Sequence, residues 1–397
     1  MSFTLLKALN VQLNALDVQG LRRVRRSVES VCQPHLVVDG QPMLAFNSND
    51  YLGLAAHPLV VEALKEGASL YGAGSGASHL ISGHSQAHER LEELLADMLS
   101  PFVPSVRALY FSTGYMANLG VMTALADTAK GDITFFSDAL NHASLIDGIR
   151  LTREPCQVYR HADVADLSLR LSSCQSGTKV VVTDGVFSMD GDIAPLKEML
   201  ALCEQHGAWL LVDDAHGFGV LGDSGAGVLQ HFNLRSEQLI YMGTLGKAAG
   251  VSGAFIAAHE HVIEWMVQRS RPYIYTTASS PALSHALLTS VRIIRGEEGR
   301  RRRAHLQTLI QQLSTAPVPA AWQRMVSTTA IQPLVIGSNQ AVLQASADLK
   351  AQGIWISAIR APTVPVNTAR LRITLSASHT AQDVDRLVRA LSFESIS

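Results

Sequence analysis

The chain has 397 residues, of which 47% are hydrophobic, and its formal net charge is -2. A chain of this length and composition can bury the core of two domains, or of one large domain with an appendage. The small net charge excludes a general electrostatic attraction to nucleic acid or to an anionic membrane.

The cysteines and the apolar segments indicate the cellular setting. The four cysteines, Cys32, Cys156, Cys174 and Cys203, are dispersed and lack the spacing of a metal site. No segment reaches about 18 uninterrupted apolar residues, and the first residues lack a signal-sequence pattern. We therefore expect a cytoplasmic protein with reduced thiols, no metal site, and no nucleic-acid or membrane partner.

Three regions follow one another along the chain. Residues 1–43 are predicted to form an N-terminal arm, because Leu5 to Leu21 has helical periodicity but no dense core. Residues 44–285 are predicted to form the large domain. Residues 286–397, with a charged helix over 297–313 and strands over 330–336 and 371–375, are predicted to form a smaller α+β domain.

The large domain alternates apolar runs with helical patterns. Helices are predicted over 85–99 and 195–206, for example, and strands over 108–112, 133–137, 157–159, 179–183, 209–212, 239–242 and 254–257. This alternation predicts an α/β fold with a mostly parallel central sheet and helices on both faces.

Two of these predicted strands end in residues that carry chemistry. Asp213 follows the run 208–212, and Lys247 follows the run 239–242. Ligands bind at strand ends in parallel α/β sheets. A lysine that can form a Schiff base and an aspartate that can pair with a pyridinium nitrogen are what pyridoxal 5'-phosphate (PLP) requires. Taken singly, Lys247 is more typical of a surface loop and Asp213 of a helix cap. The ordered pair, with His216 between them, favours PLP.

A third segment predicts a site for the phosphate of PLP. Ser112-Thr113-Gly114-Tyr115 follows a predicted strand and opens a helical stretch over 116–125. A helix N-terminus after a turn of small residues presents free N–H groups to an anion. An ordinary helix cap would have the same local sequence.

Several motifs, in order along the chain, resemble those of one enzyme family. They are Ser48–Leu54, Gly74–Gly76, Ser112–Tyr115, Asn141–Ser144, Thr183–Asp192, Asp213–Gly217 and Thr244–Lys247. Over essentially its whole length the chain is similar to the α-oxoamine synthases, which are fold-type I PLP-dependent transferases. The segments 359–365 and 369–372, which include Pro-Thr-Val-Pro, resemble the branch of that family that serves biotin biosynthesis.

The resemblance implies a role for each candidate site residue. Lys247 would bind PLP covalently and act as the base at Cα of the substrate, Asp213 would hold the pyridine nitrogen protonated, and His142 would stack on the ring and touch the substrate. The remaining cofactor contacts implied are Gly114, Tyr115 and Thr244 at the phosphate, Ser188 and His216 at the phenolic oxygen, and Thr276 and Thr277 from a partner subunit.

Three further residues resemble substrate contacts of the family. Arg372 would bind the carboxylate of the amino acid, a planar bidentate task that suits a guanidinium group. Arg22 and Thr363 would contact the acyl substrate. The implied partners are L-alanine and a pimeloyl thioester of coenzyme A or a carrier protein, together with a second copy of the chain in a homodimer.

Three residues depart from the family pattern. Asp184 stands where relatives often carry Glu, Phe218 replaces a small residue, and His79 lies in the glycine-rich region. None removes a chemical role, but they leave the acyl donor less defined than the reaction type. A sister α-oxoamine synthase that uses glycine or serine with another acyl-CoA, and a non-catalytic PLP-binding protein, are the alternatives.

Overall fold

The computed structural model of the chain describes residues 4–129 and 131–392. In the first half of the chain the elements are α1 (Thr4–Val18), β1 (His35–Val38), β2 (Gln41–Ala45), α2 (Pro58–Tyr71), a π-helical turn (His79–Gly83), α3 (Gln86–Leu99), β3 (Val106–Phe111), α4 (Gly114–Ala129), β4 (Ile133–Asp138), α5 (Ala143–Thr152), β5 (Cys156–Tyr159), α6 (Val164–Ser173), β6 (Thr178–Asp184) and α7 (Leu196–His206).

The second half adds β7 (Trp209–Asp213), α8 (Val228–His231), β8 (Leu239–Thr244), β9 (Ala254–His259), α9 (Glu260–Arg269), α10 (Arg271–Ile274), α11 (Pro281–Arg295), α12 (Glu297–Ser314), β10 (Gln323–Arg324), β11 (Ile331–Gly337), α13 (Asn339–Ala351), β12 (Ile354–Trp355), β13 (Ser357–Ile359), β14 (Ala369–Thr374) and α14 (Ala381–Ser392). All seven strands predicted in the large domain are confirmed.

These elements form two compact units. Within the described residues, unit 1 covers 4–48, 189–191 and 307–392, and unit 2 covers 49–129, 131–188 and 192–306. The division into 1–43, 44–285 and 286–397 stays a prediction about domains, because compactness alone does not establish independent folding.

A seven-stranded sheet forms the centre of unit 2. Its strand order is β3-β9-β8-β7-β6-β4-β5, and only β9 runs against its neighbours. Every residue of β4 and of β8 is buried, as expected for strands with helices on both faces. In the core, Val121 and Met122 of α4 and Leu145 of α5 pack with residues of β3, β4 and β8. The predicted mostly parallel sheet is confirmed.

The direction of the strands places the candidate site. The parallel strands β6, β7 and β8 end at Asp184, Asp213 and Thr244, and Asp184 is directly paired with Asp213 in the sheet. The carboxyl ends of parallel strands meet at one edge, where α/β sheets bind ligands.

Unit 1 is an α+β structure. Its antiparallel sheet has the order β10-β11-β14-β13, and a three-stranded sheet has the order β1-β2-β12. Helix α14 buries Val384, Leu387 and Leu391 at helical spacing. Every residue of β14 is buried, including Arg370 and Arg372. The predicted α+β elements of the C-terminal region are therefore confirmed.

In the described part of the chain, no helix is both long and apolar enough to span a bilayer. The four cysteines are free thiols.

Candidate active site

Lys247 lies in a tight loop that follows β8. Backbone hydrogen bonds close this loop, from Leu245 N to Gly253 O at 2.8 Å and from Gly250 N to Lys247 O at 2.8 Å. Gly250 has φ +70°, and a Cβ there would lie 2.4 Å from Ala55 N, so only glycine fits. The loop fixes the backbone of Lys247 and leaves its side chain partly exposed.

Hydrogen bonds connect the Lys247 side chain with those of His216 and Tyr51. Lys247 Nζ lies 2.9 Å from His216 Nε2, and His216 Nδ1 lies 2.5 Å from the Tyr51 hydroxyl. Tyr51 and His216 are buried. Since each ring nitrogen of His216 has a partner, the imidazole is held in a single orientation beside the amine.

Asp213 is positioned by hydrogen bonds to both of its carboxylate oxygens. Asn118 Nδ2 donates to Oδ2 at 2.7 Å, and the backbone N–H of Ala215 donates to Oδ1 at 3.0 Å. Asn118 is fully buried in α4, and its Nδ2 also donates to Ser144 Oγ at 2.8 Å. These donors fix the orientation of the Asp213 carboxylate.

Asp214 faces a different part of the interior. Its Oδ2 accepts hydrogen bonds from Val228 N at 2.8 Å and from the Tyr241 hydroxyl at 2.7 Å. Burial raises the pKa of Asp214 to about 7 against these stabilising donors. Of the two adjacent aspartates, Asp213 is therefore the one that joins the polar network of the strand-end site.

His142 is the N-cap residue of α5. Its backbone N–H donates to Asp184 Oδ2 at 2.7 Å, and its Nδ1 lies 2.7 Å from Ser144 Oγ. His142 is exposed, yet desolvation by the surrounding protein lowers its pKa, with Asp213 opposing and Lys247 reinforcing the shift.

Asp184, a residue that departs from the family pattern, forms hydrogen bonds with the segment that carries His142. Its backbone N–H donates to Asn141 Oδ1 at 2.9 Å while its carboxylate accepts from His142 N. Burial, followed by the neighbouring Asp213, raises the pKa of Asp184 well above its usual range. The shorter aspartate thus anchors the segment that carries His142.

The predicted phosphate turn opens α4 as expected. The helix begins at Gly114, and Thr113 caps it by accepting from Ala117 N at 3.1 Å through its carbonyl and from Met116 N at 3.2 Å through its hydroxyl. The Tyr115 side chain is exposed and its hydroxyl contacts Asp147. Thr244 is buried at the end of β8, where its hydroxyl donates to Gly253 O at 3.2 Å.

Comparisons with known proteins decide the family. The model of the class I and II aminotransferases matches residues 41–391. An 8-amino-7-oxononanoate synthase from Janthinobacterium sp. (strain Marseille) is 62% identical over 98% of this chain and 98% of its own length. The chain belongs to the class I and II aminotransferase family.

Solved structures agree with this assignment. A structure of SPT with PLP has a TM-score of 0.87 at 30% identity, covering 97% of this chain and 96% of its own. An 8-amino-7-oxononanoate synthase from Francisella tularensis has a TM-score of 0.73 at 28% identity, covering 88% of this chain and 97% of its own. The predicted fold-type I architecture, the PLP cofactor and the PLP-dependent acyltransferase class are confirmed for this family member, which groups in sequence with the 8-amino-7-oxononanoate synthases.

The donor set of this family member fits PLP. The buried Asp213 carboxylate suits a protonated pyridine nitrogen, and the Lys247 amine suits an aldehyde carbon. The N-terminus of α4 at Gly114 suits a phosphate group. All ten residues predicted to contact the cofactor lie in unit 2.

Three of those ten are placed by the structure without a contact that tests their predicted role. Ser188 follows β6 in a turn and is half-buried, Thr276 follows α10 and is half-buried, and Thr277 is exposed. Their cofactor contacts, and the donation of Thr276 and Thr277 by a partner subunit, stay predictions.

The three predicted substrate contacts lie in unit 1. Arg22 pairs with Asp17 at 2.5 Å on the surface. Thr363 is exposed, and Arg372 is buried in β14 with Nη1 donating to Thr374 Oγ1 at 3.0 Å. Their substrate roles stay predictions.

Sequence reasoning missed Asn118 and did not single out Tyr51. Asn118 is a lone amide in the apolar stretch 116–126 of α4. A polar side chain that is buried must find hydrogen-bond partners, so its place on an apolar helix was the available signal. Tyr51 belongs to the motif 48–54, but nothing in the sequence indicates that its hydroxyl reaches His216.

Proposed function

We propose that this chain condenses L-alanine with a pimeloyl thioester and releases 8-amino-7-oxononanoate, carbon dioxide and the free thiol carrier, a step of biotin biosynthesis. The observation that carries the proposal is that the Lys247 amine, 2.9 Å from His216 Nε2, follows strand β8, while Asp213, held by Asn118, ends the neighbouring strand β7. Curated relatives at 58–62% identity that carry the name of this activity support it.

Lys247 supplies the proton chemistry. Bound PLP supplies an electron sink for the charge that develops at Cα of alanine. The Lys247 amine takes the Cα proton and later returns one to the same carbon after carbon dioxide has left. His216 Nε2 lies 2.9 Å from Nζ and orients the amine. It can accept a proton from the amine or donate one to it.

Asp213 keeps the electron sink effective. A carboxylate that faces the ring nitrogen stabilises its protonated form, and Asn118 and Ala215 N hold that carboxylate in place. His142 covers the site with an imidazole whose lowered pKa keeps it neutral. A neutral ring adds no positive charge that would compete with the pyridinium for Asp213.

The substrate-facing residues complete the proposal. Arg372 binds the carboxylate of alanine, and Arg22 and Thr363 contact the pimeloyl group. Ser188 and His216 contact the phenolic oxygen of PLP, and Gly114, Tyr115 and Thr244 contact its phosphate.

A homodimer is the proposed working unit, with Thr276 and Thr277 contributed by the partner subunit. Helix α1 supports this, since none of its residues is buried although Leu5, Leu6 and Leu9 are apolar. A two-fold assembly is the commonest way to cover such a surface. Mixing Lys247→Ala with a Thr276→Ala/Thr277→Ala variant should restore activity that neither has alone, whereas a fully active monomer under turnover would contradict the dimer.

The cytoplasm is the proposed location. The four free thiols support it, because unpaired cysteines are typical of proteins in a reducing compartment.

The test of the proposed function is thiol release with a panel of substrates. Wild-type enzyme should release thiol with L-alanine and pimeloyl-CoA, and much less with glycine, with serine or with short-chain acyl-CoA. Lys247→Ala should keep the circular dichroism spectrum of the wild type and release no thiol. A preference for serine or glycine would assign the chain to a sister activity of the same fold.

A further inference from the structure

Three histidines of unit 2 gather at one place that the proposed catalysis does not use. His79, His84 and His88 can each direct a ring nitrogen into a common volume, and the three nitrogens lie within 4.8 Å of one another. No ion is present there. His79 is the residue that departs from the family pattern in the glycine-rich region.

The backbone brings these histidines together by an unusual turn. Residues His79–Gly83 form one π-helical turn, closed by Gly83 N donating to Ser78 O at 2.9 Å. A Cβ on Gly83 would lie 2.1 Å from Ala77 O, so the turn requires glycine. Such turns are rare and are frequent at functional sites. The turn places His79 at its start and His84 directly after its end.

The ring nitrogens already approach the geometry of ligands. His79 Nδ1 lies 3.0 Å from His84 Nδ1, while two nitrogens on one tetrahedral zinc ion at about 2.0–2.1 Å would lie roughly 3.3 Å apart. The three ligand nitrogens lie up to 4.8 Å apart, so they must move closer together to bind one ion. His84 is exposed, so it is the member that can move toward the other two.

One of the rings is also held from behind by a hydrogen bond, and a second lies near a carboxyl group. His88 Nε2 lies 3.0 Å from the carbonyl of Ser279, and His84 Nε2 lies 4.0 Å from Glu92 Oε2. Ligating histidines almost always have their second nitrogen on a backbone carbonyl or a carboxylate, which fixes the tautomer and the ring orientation. His88 would then bind the metal through Nδ1. This nitrogen would have to give up its 3.0 Å contacts with the backbone N and the hydroxyl of Ser85.

We propose that His79, His84 and His88 form a binding site for one divalent transition-metal ion, with Zn²⁺ the first candidate. Three imidazoles suit zinc, nickel or copper and leave a fourth position for water.

Metal binding would brace the neighbouring loops. The Ser279 carbonyl that holds His88 also accepts from Ser75 in the glycine-rich segment, and Ser279 Oγ donates to Ser112 Oγ at 2.9 Å. The site thus connects the glycine-rich segment with the turn that opens α4. This role is structural and does not depend on the proposed reaction.

The experiment uses tag-free holoenzyme that has been dialysed against EDTA. Elemental analysis and isothermal titration with Zn²⁺ should give one ion per chain. Titration with Co²⁺ should produce the intense d–d absorption of a tetrahedral nitrogen site. His84→Gln should lose at least about 100-fold in affinity, and Glu92→Gln about 10- to 100-fold. Because His84 is exposed, its variant should keep the wild-type circular dichroism spectrum.

His231→Gln is the matched control, since His231 is an exposed histidine outside the cluster. It should bind Zn²⁺ and Co²⁺ as the wild type does. The proposal is overturned if wild-type enzyme binds less than stoichiometric Zn²⁺, if Co²⁺ gives only weak octahedral bands, or if His84→Gln binds as tightly as the wild type. Thiol release in the absence of added metal would be unaffected by any of these results, so the proposed function is judged separately.

Discussion

Asp213 and Asp214 are consecutive and buried, yet their side chains enter two different regions of unit 2. Asp213 accepts a hydrogen bond from Asn118, which also donates to Ser144 next to His142, and the strand that Asp213 ends pairs with the strand that leads to Lys247. Asp214 accepts hydrogen bonds from Val228 N, at the start of α8, and from the Tyr241 hydroxyl. The first region contains an amine and an imidazole that a cofactor and a substrate can reach, whereas the second contains only structural donors. The groups that surround an aspartate therefore decide whether it has a catalytic or a structural role.

Apart from Lys247→Ala, the largest effect should come from Asp213→Asn. The amide has the size of the carboxylate but no charge, so it cannot stabilise a protonated pyridine nitrogen. We expect kcat/KM to fall about 100- to 1,000-fold, the scale for losing a group that stabilises developing charge, while PLP still binds. Stopped-flow measurement of α-proton exchange in alanine checks this; exchange at the wild-type rate would refute the role of Asp213.

Asn118→Ala should have the next largest effect. It removes the 2.7 Å donor to Asp213 Oδ2, so the carboxylate keeps the donor to Oδ1, Ala215 N, but loses the one that fixes its second oxygen. We expect a loss of about 10- to 100-fold in kcat, the cost of a misplaced catalytic group, with little change in the KM for the thioester. Asn118→Asp, which places a like charge beside Asp213, should be worse than Ala; equal kcat values in all three proteins would contradict the positioning role.

Tyr51→Phe should have a smaller effect. It removes the hydroxyl at His216 Nδ1 while the buried ring keeps its packing. One hydrogen bond of about 0.5–1.5 kcal/mol corresponds to a loss of up to roughly 10-fold. The loss should appear in kcat and in the pH profile of the step that uses Lys247. A variant with a wild-type pH profile would show that Tyr51 does not act through His216.

Asp214→Asn should barely change turnover and instead change how stability depends on pH. The folded pKa of about 7 lies above the value of about 3.9 for an unfolded aspartate. Between these two values the folded state holds the extra proton, so the wild-type free energy of unfolding falls as pH rises, by at most about 4 kcal/mol. Asn cannot titrate and should flatten this slope. Urea unfolding at pH 5 and pH 8 measures it, and parallel slopes for both proteins would exclude Asp214 as the source.

The sequence predicted the strands of the central sheet better than the hydrogen bonds between side chains at the strand ends. Strands β7 and β8 contain the continuous apolar runs 209–212 and 239–242. Such a run is enough to predict a buried strand from the sequence. Asp213 and Lys247 were predictable because each follows such a run. Asn118 was not, since its partners Asp213 and Ser144 lie 95 and 26 residues away along the chain.

The same limit applies to the boundary between the units. Residues 189–191 belong to unit 1 although both flanking segments belong to unit 2. Arg370 Nη1 contacts Asp190 Oδ1 at 2.6 Å, and Thr329 Oγ1 donates to Gly191 O at 3.0 Å. Contacts between residues more than a hundred positions apart leave no local pattern, so the sequence placed this segment in the large domain.

Product analysis with isotopically labelled alanine tests the central claim most directly. Wild-type enzyme would be given pimeloyl-CoA with L-alanine carrying ¹³C in either its methyl or its carboxyl carbon, beside Lys247→Ala as control. We predict 8-amino-7-oxononanoate that keeps the methyl label and loses the carboxyl label as carbon dioxide, with no product from Lys247→Ala. A product that retains the carboxyl label, or multiple turnovers by Lys247→Ala, would contradict the account.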